Sequence, residues 1–135
     1  PDGIFNLLKE GRHLTDKKVI TIFGCGGDRD VTKRPVMGKI VSEMSDVIIV
    51  TSDITRTESR EGIASDILQG VNPKGHLYVE LDRAKAIRLG VELADKGDCV
   101  FIAGKGCENY IDENNVKTPY SDMQELLSAT AEGGV

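Results

Sequence analysis

Short apolar runs alternate along this chain with stretches in which apolar residues recur at helical spacing. Val19-Ile20-Thr21-Ile22-Phe23 is apolar, rich in β-branched residues and closed by Gly24, the pattern of a buried strand. Val36, Met37, Ile40, Val41 and Met44 then fall on one helical face, with Pro35 suited to the first turn. Val47-Ile48-Ile49-Val50 reads as a second buried strand. Ile63, Ala64, Ile67, Leu68 and Val71 form a helical stripe that stops at Gly70 and Pro73. His76 to Glu80 reads as a weaker strand, and the spacing predicts a helix over 82–96, with Asp82 as N-cap and Gly97 as its stop. Cys99-Val100-Phe101-Ile102-Ala103 is a further strongly apolar strand. Residues 109–118 suggest a polar hairpin around Glu113-Asn114-Asn115, and residues 121–130 a closing helix with Ser121 and Gln124 at capping-box spacing. The start of the chain is helix-like as well.

Continuous apolar strands alternating with amphipathic helices imply an α/β fold, a Rossmann-like and mostly parallel sheet with helices on both faces. At 135 residues the chain has the size of one domain, residues 1–135. Hydrophobic residues make up 39% and charged residues 29%, which excludes a disordered chain. The net charge of −5 gives no electrostatic support for nucleic-acid binding, and no apolar stretch approaches the ~20 residues that cross a bilayer. Neither nucleic acid nor membrane is therefore an expected partner. Cys25, Cys99 and Cys107 form no CxxC pair, and the odd count suits a reducing, cytoplasmic setting. No His, Cys, Asp or Glu spacing resembles a zinc site, so no metal ligands are expected.

In an open α/β sheet ligands bind at the carboxyl ends of the strands. Three polar loops follow strong strands here: Gly24 to Asp30, Thr51 to Glu58, and Gly104 to Glu108. The first lets backbone N–H groups approach an anion, but it is no GxxxxGK[ST] loop and only a partial GxGxxG, since Arg29 stands at the third glycine position. Arg29 flanked by Asp28 and Asp30, with Lys33 and Arg34 close behind, offers a fork for a carboxylate or phosphate; the ordinary alternative is a solvated, self-paired charge cluster. In the second loop Asp53 and Arg56 are placed to grip the ammonium and carboxylate of an amino acid, or else are surface charges before a helix capped by Thr57 or Ser59. In the third, Gly104 and Gly106 bracket Lys105 ahead of Glu108, which fits a plain turn equally well. His13 and His76 read as surface or packing residues, and Cys25 and Cys107 have no histidine neighbour that would mark a catalytic thiol.

Taken together the loops are more specific. Gly24-Cys25-Gly26-Gly27-Asp28-Arg29-Asp30, with Lys33-Arg34-Pro35 and Met37-Gly38, resembles the GCGGDRDxxKRPxMG signature of Mur ligases. Val50-Thr51-Ser52-Asp53, Asp66-Ile67-Leu68-Gln69-Gly70, Asp82-Arg83-Ala84, Ala103-Gly104-Lys105-Gly106 with Glu108, and Tyr120-Ser121-Asp122 follow in that family's order. Pro1-Asp2 resembles the end of its DYAHTPD hinge segment. The resemblance covers essentially the whole chain and is closest to the C-terminal domain of the branch that adds the third amino acid of the peptide.

What the resemblance implies is a fragment of a larger three-domain ligase. That enzyme uses ATP and Mg2+, held mainly by a central domain, to activate UDP-MurNAc-L-Ala-D-Glu as an acyl phosphate; the amine of a free amino acid, meso-diaminopimelate first among candidates, then attacks. By this resemblance Arg29 contacts the diaminopimelate carboxylate, Asp53 and Arg56 are the ends of a DNPR selection motif, and Gly104 and Glu108 supply further contacts, with Asp28 and Lys105 as supporting residues. No residue of this domain is expected to be catalytic, and the fragment alone is expected to be inactive. Two departures stand out: Ile54-Thr55 replaces Asn-Pro in the selection motif, and Cys107 stands where the family usually has histidine. They leave open a relative that ligates another amino acid, beside the more distant alternative of a free-standing nucleotide-binding module with Asp53 as the ribose partner.

Overall fold

The computed structural model describes residues 2–27, 30–53, 55–73 and 75–103, together with the backbone of 110–113 and 116–119. β1 (Val19–Phe23) and β2 (Val47–Val50) are buried along their whole length, as a strand covered on both faces must be. They pair in parallel, Ile20 opposite Val47 and Phe23 opposite Val50. β3 (His76–Val79) joins the outer side of β2, and β4 (Cys99–Ala103) the other side of β1, both in parallel. The strand order is therefore β3-β2-β1-β4.

Side chains on β1 alternate between two apolar layers. Val19 and Phe23 meet Ile4 and Leu8 of α1 (Asp2–Leu14), Val41 of α2 (Lys33–Met44), and Ile63 and Ile67 of α3 (Arg60–Leu68). Ile20 and Ile22 face the opposite way and meet Ala86 and Ile87 of α4 (Arg83–Leu93). Each fully buried aliphatic chain of this kind contributes about 2 kcal/mol. Helices thus lie on both faces, as the hydrophobic pattern predicts. The connections through α2 and α3 build outward from β1 to β3, whereas α4 returns the chain across the sheet to β4. The order reverses beside β1, which makes the carboxyl end of β1 the topological switch point.

The predicted caps are met at two helices. The Ser59 hydroxyl, rather than Thr57, accepts the Gly62 N–H at α3, and the Asp82 carboxylate accepts the Lys85 N–H at α4. One boundary differs. α4 ends at Leu93 instead of continuing to Lys96, because Asp95 and Asp98 form a turn of their own: the Asp95 N–H donates to the Asp98 carboxylate and the Asp98 N–H to the Asp95 carbonyl. Gly97 lies inside that turn at φ +93° rather than at a helix end.

The expected hairpin is present as β5 (Tyr110–Glu113) and β6 (Val116–Pro119), antiparallel with Glu113 opposite Val116. The helix expected over 121–130 lies outside the described residues. No helix among the described residues is long and apolar enough to cross a membrane.

Candidate functional site

Because all four strands of the main sheet run in parallel, their carboxyl ends open on one edge. Continued backbone bonding carries the ladder past the strands: the Thr51 N–H reaches the Phe23 carbonyl at 2.9 Å, and the Glu80 N–H the Val50 carbonyl at 2.9 Å. The first and second loops therefore leave the sheet side by side.

Their approach is so close that only glycine fits. A Cβ on Gly27 would lie 1.8 Å from the Thr55 carbonyl oxygen, and one on Gly24 would lie 2.5 Å from that of Thr51. Gly24 and Gly27 thus serve contact with the second loop, beside whatever they offer a ligand. Across this seam Arg56 donates from Nη1 to the Gly27 carbonyl at 3.3 Å. Arg56 is partly buried and sits at φ +52°, in the left-handed region that a side chain adopts at a cost of about 1 kcal/mol or more. Asp53 is almost covered, at 7% exposure, in the same polar edge as Ser52 and Thr55.

Arg34 takes a different part from the one its place in the charge cluster suggests. It is 1% exposed, and its fork is spent inside the protein. Nη2 donates to Glu58 at 2.7 Å and to the Gly26 carbonyl at 3.1 Å; Nη1 donates to Glu58 at 3.0 Å and to Asp66 at 2.9 Å. Its hydrogen bonds to Glu58 hold the guanidinium firmly protonated. A residue placed among ligand-gripping charges by sequence is therefore an internal strut from the first loop to the second loop and α3. Glu58 and Asp66 are the partners that sequence reading did not find, since nothing in local spacing links them to Arg34. Asp30 also turns inward to its own segment: its carboxylate accepts the Thr32 N–H at 3.0 Å and the Thr32 hydroxyl, which holds it below the usual carboxylate range.

Cys25 lies within reach of the charges of Arg34 and Asp53. Its thiol is pushed up to about 11, chiefly by burial and also by the charge of Asp53, against an opposing pull from Arg34. The Sγ rests 3.7 Å from the Met37 Sδ. Such a thiol is protonated at neutral pH and is no nucleophile, which agrees with its lack of a histidine neighbour. His13 and His76 are both exposed, as expected. Asp53 and Arg56 are thus brought to the first loop. Asp28, Arg29, Gly104, Lys105 and Glu108, like Ile54 and Cys107, lie outside the described residues.

The Mur ligase, glutamate ligase domain, matches residues 1–106. The UDP-N-acetylmuramoyl-L-alanyl-D-glutamate--2,6-diaminopimelate ligase of Aquifex aeolicus is 47% identical over 124 residues, 92% of this chain and 26% of that protein. The ligase of the same name from Synechococcus elongatus is 44% identical over 132 residues, 98% of this chain and 27% of that protein. A solved structure of a ligase so named superposes with a TM-score of 0.93 at 39% identity, covering 100% of this chain and 28% of the other. The chain therefore spans about a quarter of the length of these relatives. On the strength of the matched domain, the identities and the shared fold, the chain belongs to the Mur ligase family, in its glutamate ligase domain.

Proposed function

We propose that residues 1–135 are the amino-acid-binding domain of a three-domain ATP-dependent ligase that joins meso-diaminopimelate to UDP-MurNAc-L-Ala-D-Glu. The observation that supports this reading most is the junction of the first two loops, where Arg56 reaches Gly27 at 3.3 Å. There the second loop sets a guanidinium beside the glycine turn that runs on into Asp28 and Arg29. The names of the relatives point to the same amino acid.

Diaminopimelate carries an ammonium and a carboxylate at each end, so its site needs charges of both signs. Arg56 and Arg29 supply forks for the carboxylates, Asp53 and Glu108 supply negative charge for the ammonium groups, and Gly104 offers backbone; Asp28 and Lys105 support them. A lysine substrate has no distal carboxylate and would leave a guanidinium without its partner. The domain's work is to bind and orient. Holding the amine in line with an activated carboxyl carbon turns an encounter between two molecules into a step within one complex, which accounts for several kcal/mol of the barrier.

ATP and Mg2+ are, in this reading, held mainly by the central domain. No three His, Cys, Asp or Glu side chains come together as a metal cage among them, and the sequence holds no GxxxxGK[ST] loop. Both belong, in this reading, to the rest of the protein, and the 135-residue chain alone releases no phosphate from ATP. Family membership supports a ligase domain over a nucleotide-binding module. In the setting proposed the protein works in the cytoplasm, where the UDP-linked dipeptide and the free amino acid are its partners.

The test is a competition. The whole protein is given ATP, Mg2+, UDP-MurNAc-L-Ala-D-Glu and equal amounts of diaminopimelate, lysine and ornithine, and the product is weighed by mass spectrometry. A product carrying diaminopimelate is expected. One carrying lysine or ornithine would favour the reading that Ile54-Thr55, in place of Asn-Pro, marks a changed substrate.

A further inference from the structure

α4 opens with a charge where a helix least tolerates one. Arg83 is its first residue, directly after the Asp82 cap, and a cation there opposes the helix dipole. The side chain is also buried, at 2% exposure. An arginine so placed must have its donors taken up by specific acceptors. Two of these are backbone carbonyls: Nη1 donates to Ser52 at 2.9 Å and Nη2 to Ala103 at 3.3 Å.

The positions of those carbonyls give the contact its meaning. Ser52 directly precedes Asp53, and Ala103, the last residue of β4, directly precedes Gly104. In the sheet β2 and β4 are not neighbours; β1 lies between them. One planar guanidinium therefore spans the carboxyl edge and ties the root of the second loop to the root of the third. No ladder bond performs this task, since the two strands never pair. A lysine gathers its three donors on one nitrogen and lacks the fixed planar fork that reaches the two carbonyls from separate nitrogens here.

We propose that Arg83 is a positioning residue for the incoming amino acid: it sets the separation between Ser52, at the root of the loop that bears Asp53 and Arg56, and Ala103, the last residue of β4. This rests on the function proposed above. Arg83 touches no substrate in this account, and its effect falls on how well both ends of the amino acid are met at once.

The experiment uses the whole protein with Arg83→Lys, Arg83→Gln and, as control, Lys85→Ala, an exposed position on the same helix. KM values for diaminopimelate and for ATP, kcat, and thermal midpoints are measured for each. The KM for diaminopimelate is expected to rise about tenfold in both Arg83 variants, with the KM for ATP unchanged within about twofold and Lys85→Ala like wild type. Arg83→Lys, although it keeps the charge, does not restore the low KM. A merely structural role would lower kcat through loss of folded enzyme and leave both KM values alone. That result, or loss of folding in both Arg83 variants, would overturn the proposal. A wild-type protein without diaminopimelate-dependent turnover would instead overturn the function on which it rests.

Discussion

Arg34 holds the Glu58 carboxylate with both of its terminal nitrogens, at 2.7 and 3.0 Å, across 24 residues of chain. The pair joins the start of α2 to the end of the second loop, and Asp66 adds α3 to the same guanidinium at 2.9 Å. Its two sides are unequal. Arg34 is 2% exposed at its side chain, whereas Glu58 and Asp66 are 31% and 37% exposed.

That inequality predicts which partner is harder to lose. Glu58→Ala leaves a buried cation with one remaining carboxylate and should cost about 3 kcal/mol. Arg34→Met fills the same space and leaves carboxylates that water can reach, so its cost should be smaller, about 2 kcal/mol. Urea unfolding of the two variants measures the order directly. Losses below about 1 kcal/mol in both would mean that the strut is not structural.

Gly27→Ala should separate the first two loops. Its methyl group would fall 1.8 Å from the Thr55 carbonyl, and backbone on both sides leaves nothing flexible to yield. A destabilisation of about 1–3 kcal/mol is expected. In the whole protein the KM for the amino acid should rise at least about tenfold, since Arg56 loses its anchor on the Gly27 carbonyl.

Arg56 allows strain and chemistry to be measured apart. At φ +52° a side chain is disfavoured and glycine is not. Arg56→Gly should therefore be more stable than Arg56→Ala by about 1 kcal/mol, while both lose the guanidinium and weaken amino-acid binding alike. Thermal unfolding and the KM for diaminopimelate, taken together on the pair, test both halves.

At the opposite edge of the sheet the acid limb of stability is set in part by Asp46. Partial burial pushes its carboxyl up, but the Arg12 guanidinium at 2.9 Å and the Val19 N–H at 2.8 Å outweigh this and hold it below the usual carboxylate range. A carboxyl lowered in the folded state makes the unfolded chain the better proton binder in acid. Its stabilisation is present above about pH 4, the ordinary value of an aspartate, and is lost as pH falls through the folded value. Urea midpoints should be level near neutrality and drop below about pH 4. Asp46→Asn should lower stability at pH 7 by about 1 kcal/mol and make the acid drop shallower.

The α/β class was legible because β1 and β2 are unbroken apolar runs, and because the α3 stripe of Ile63, Ala64 and Ile67 faces one layer. Strand order was not, since Val19 pairs with Cys99 across 80 residues and no local pattern encodes that choice. The early end of α4 depends on the mutual hydrogen bonds of Asp95 and Asp98, which compete with helix at a position where spacing alone favours helix. At the site, Asp53 and Arg56 could be singled out because they follow a buried strand. Arg34 stands out in the sequence as well, but its partners lie 24 and 32 residues away, so only tertiary structure decides whether its fork faces a ligand or the protein. Arg83 stood in the sequence as part of a motif without a task; its two acceptors are carbonyls, which no side-chain pattern records.

The central claim is that this domain selects an amino acid bearing a distal carboxylate. Its most direct measurement is kcat/KM of the whole protein for meso-diaminopimelate and for lysine, under the same ATP, Mg2+ and UDP-MurNAc-L-Ala-D-Glu. The account predicts a preference for diaminopimelate of about 100-fold or more, the cost of leaving a guanidinium in the site without its partner. Equal use of the two, or a preference for lysine, would contradict it.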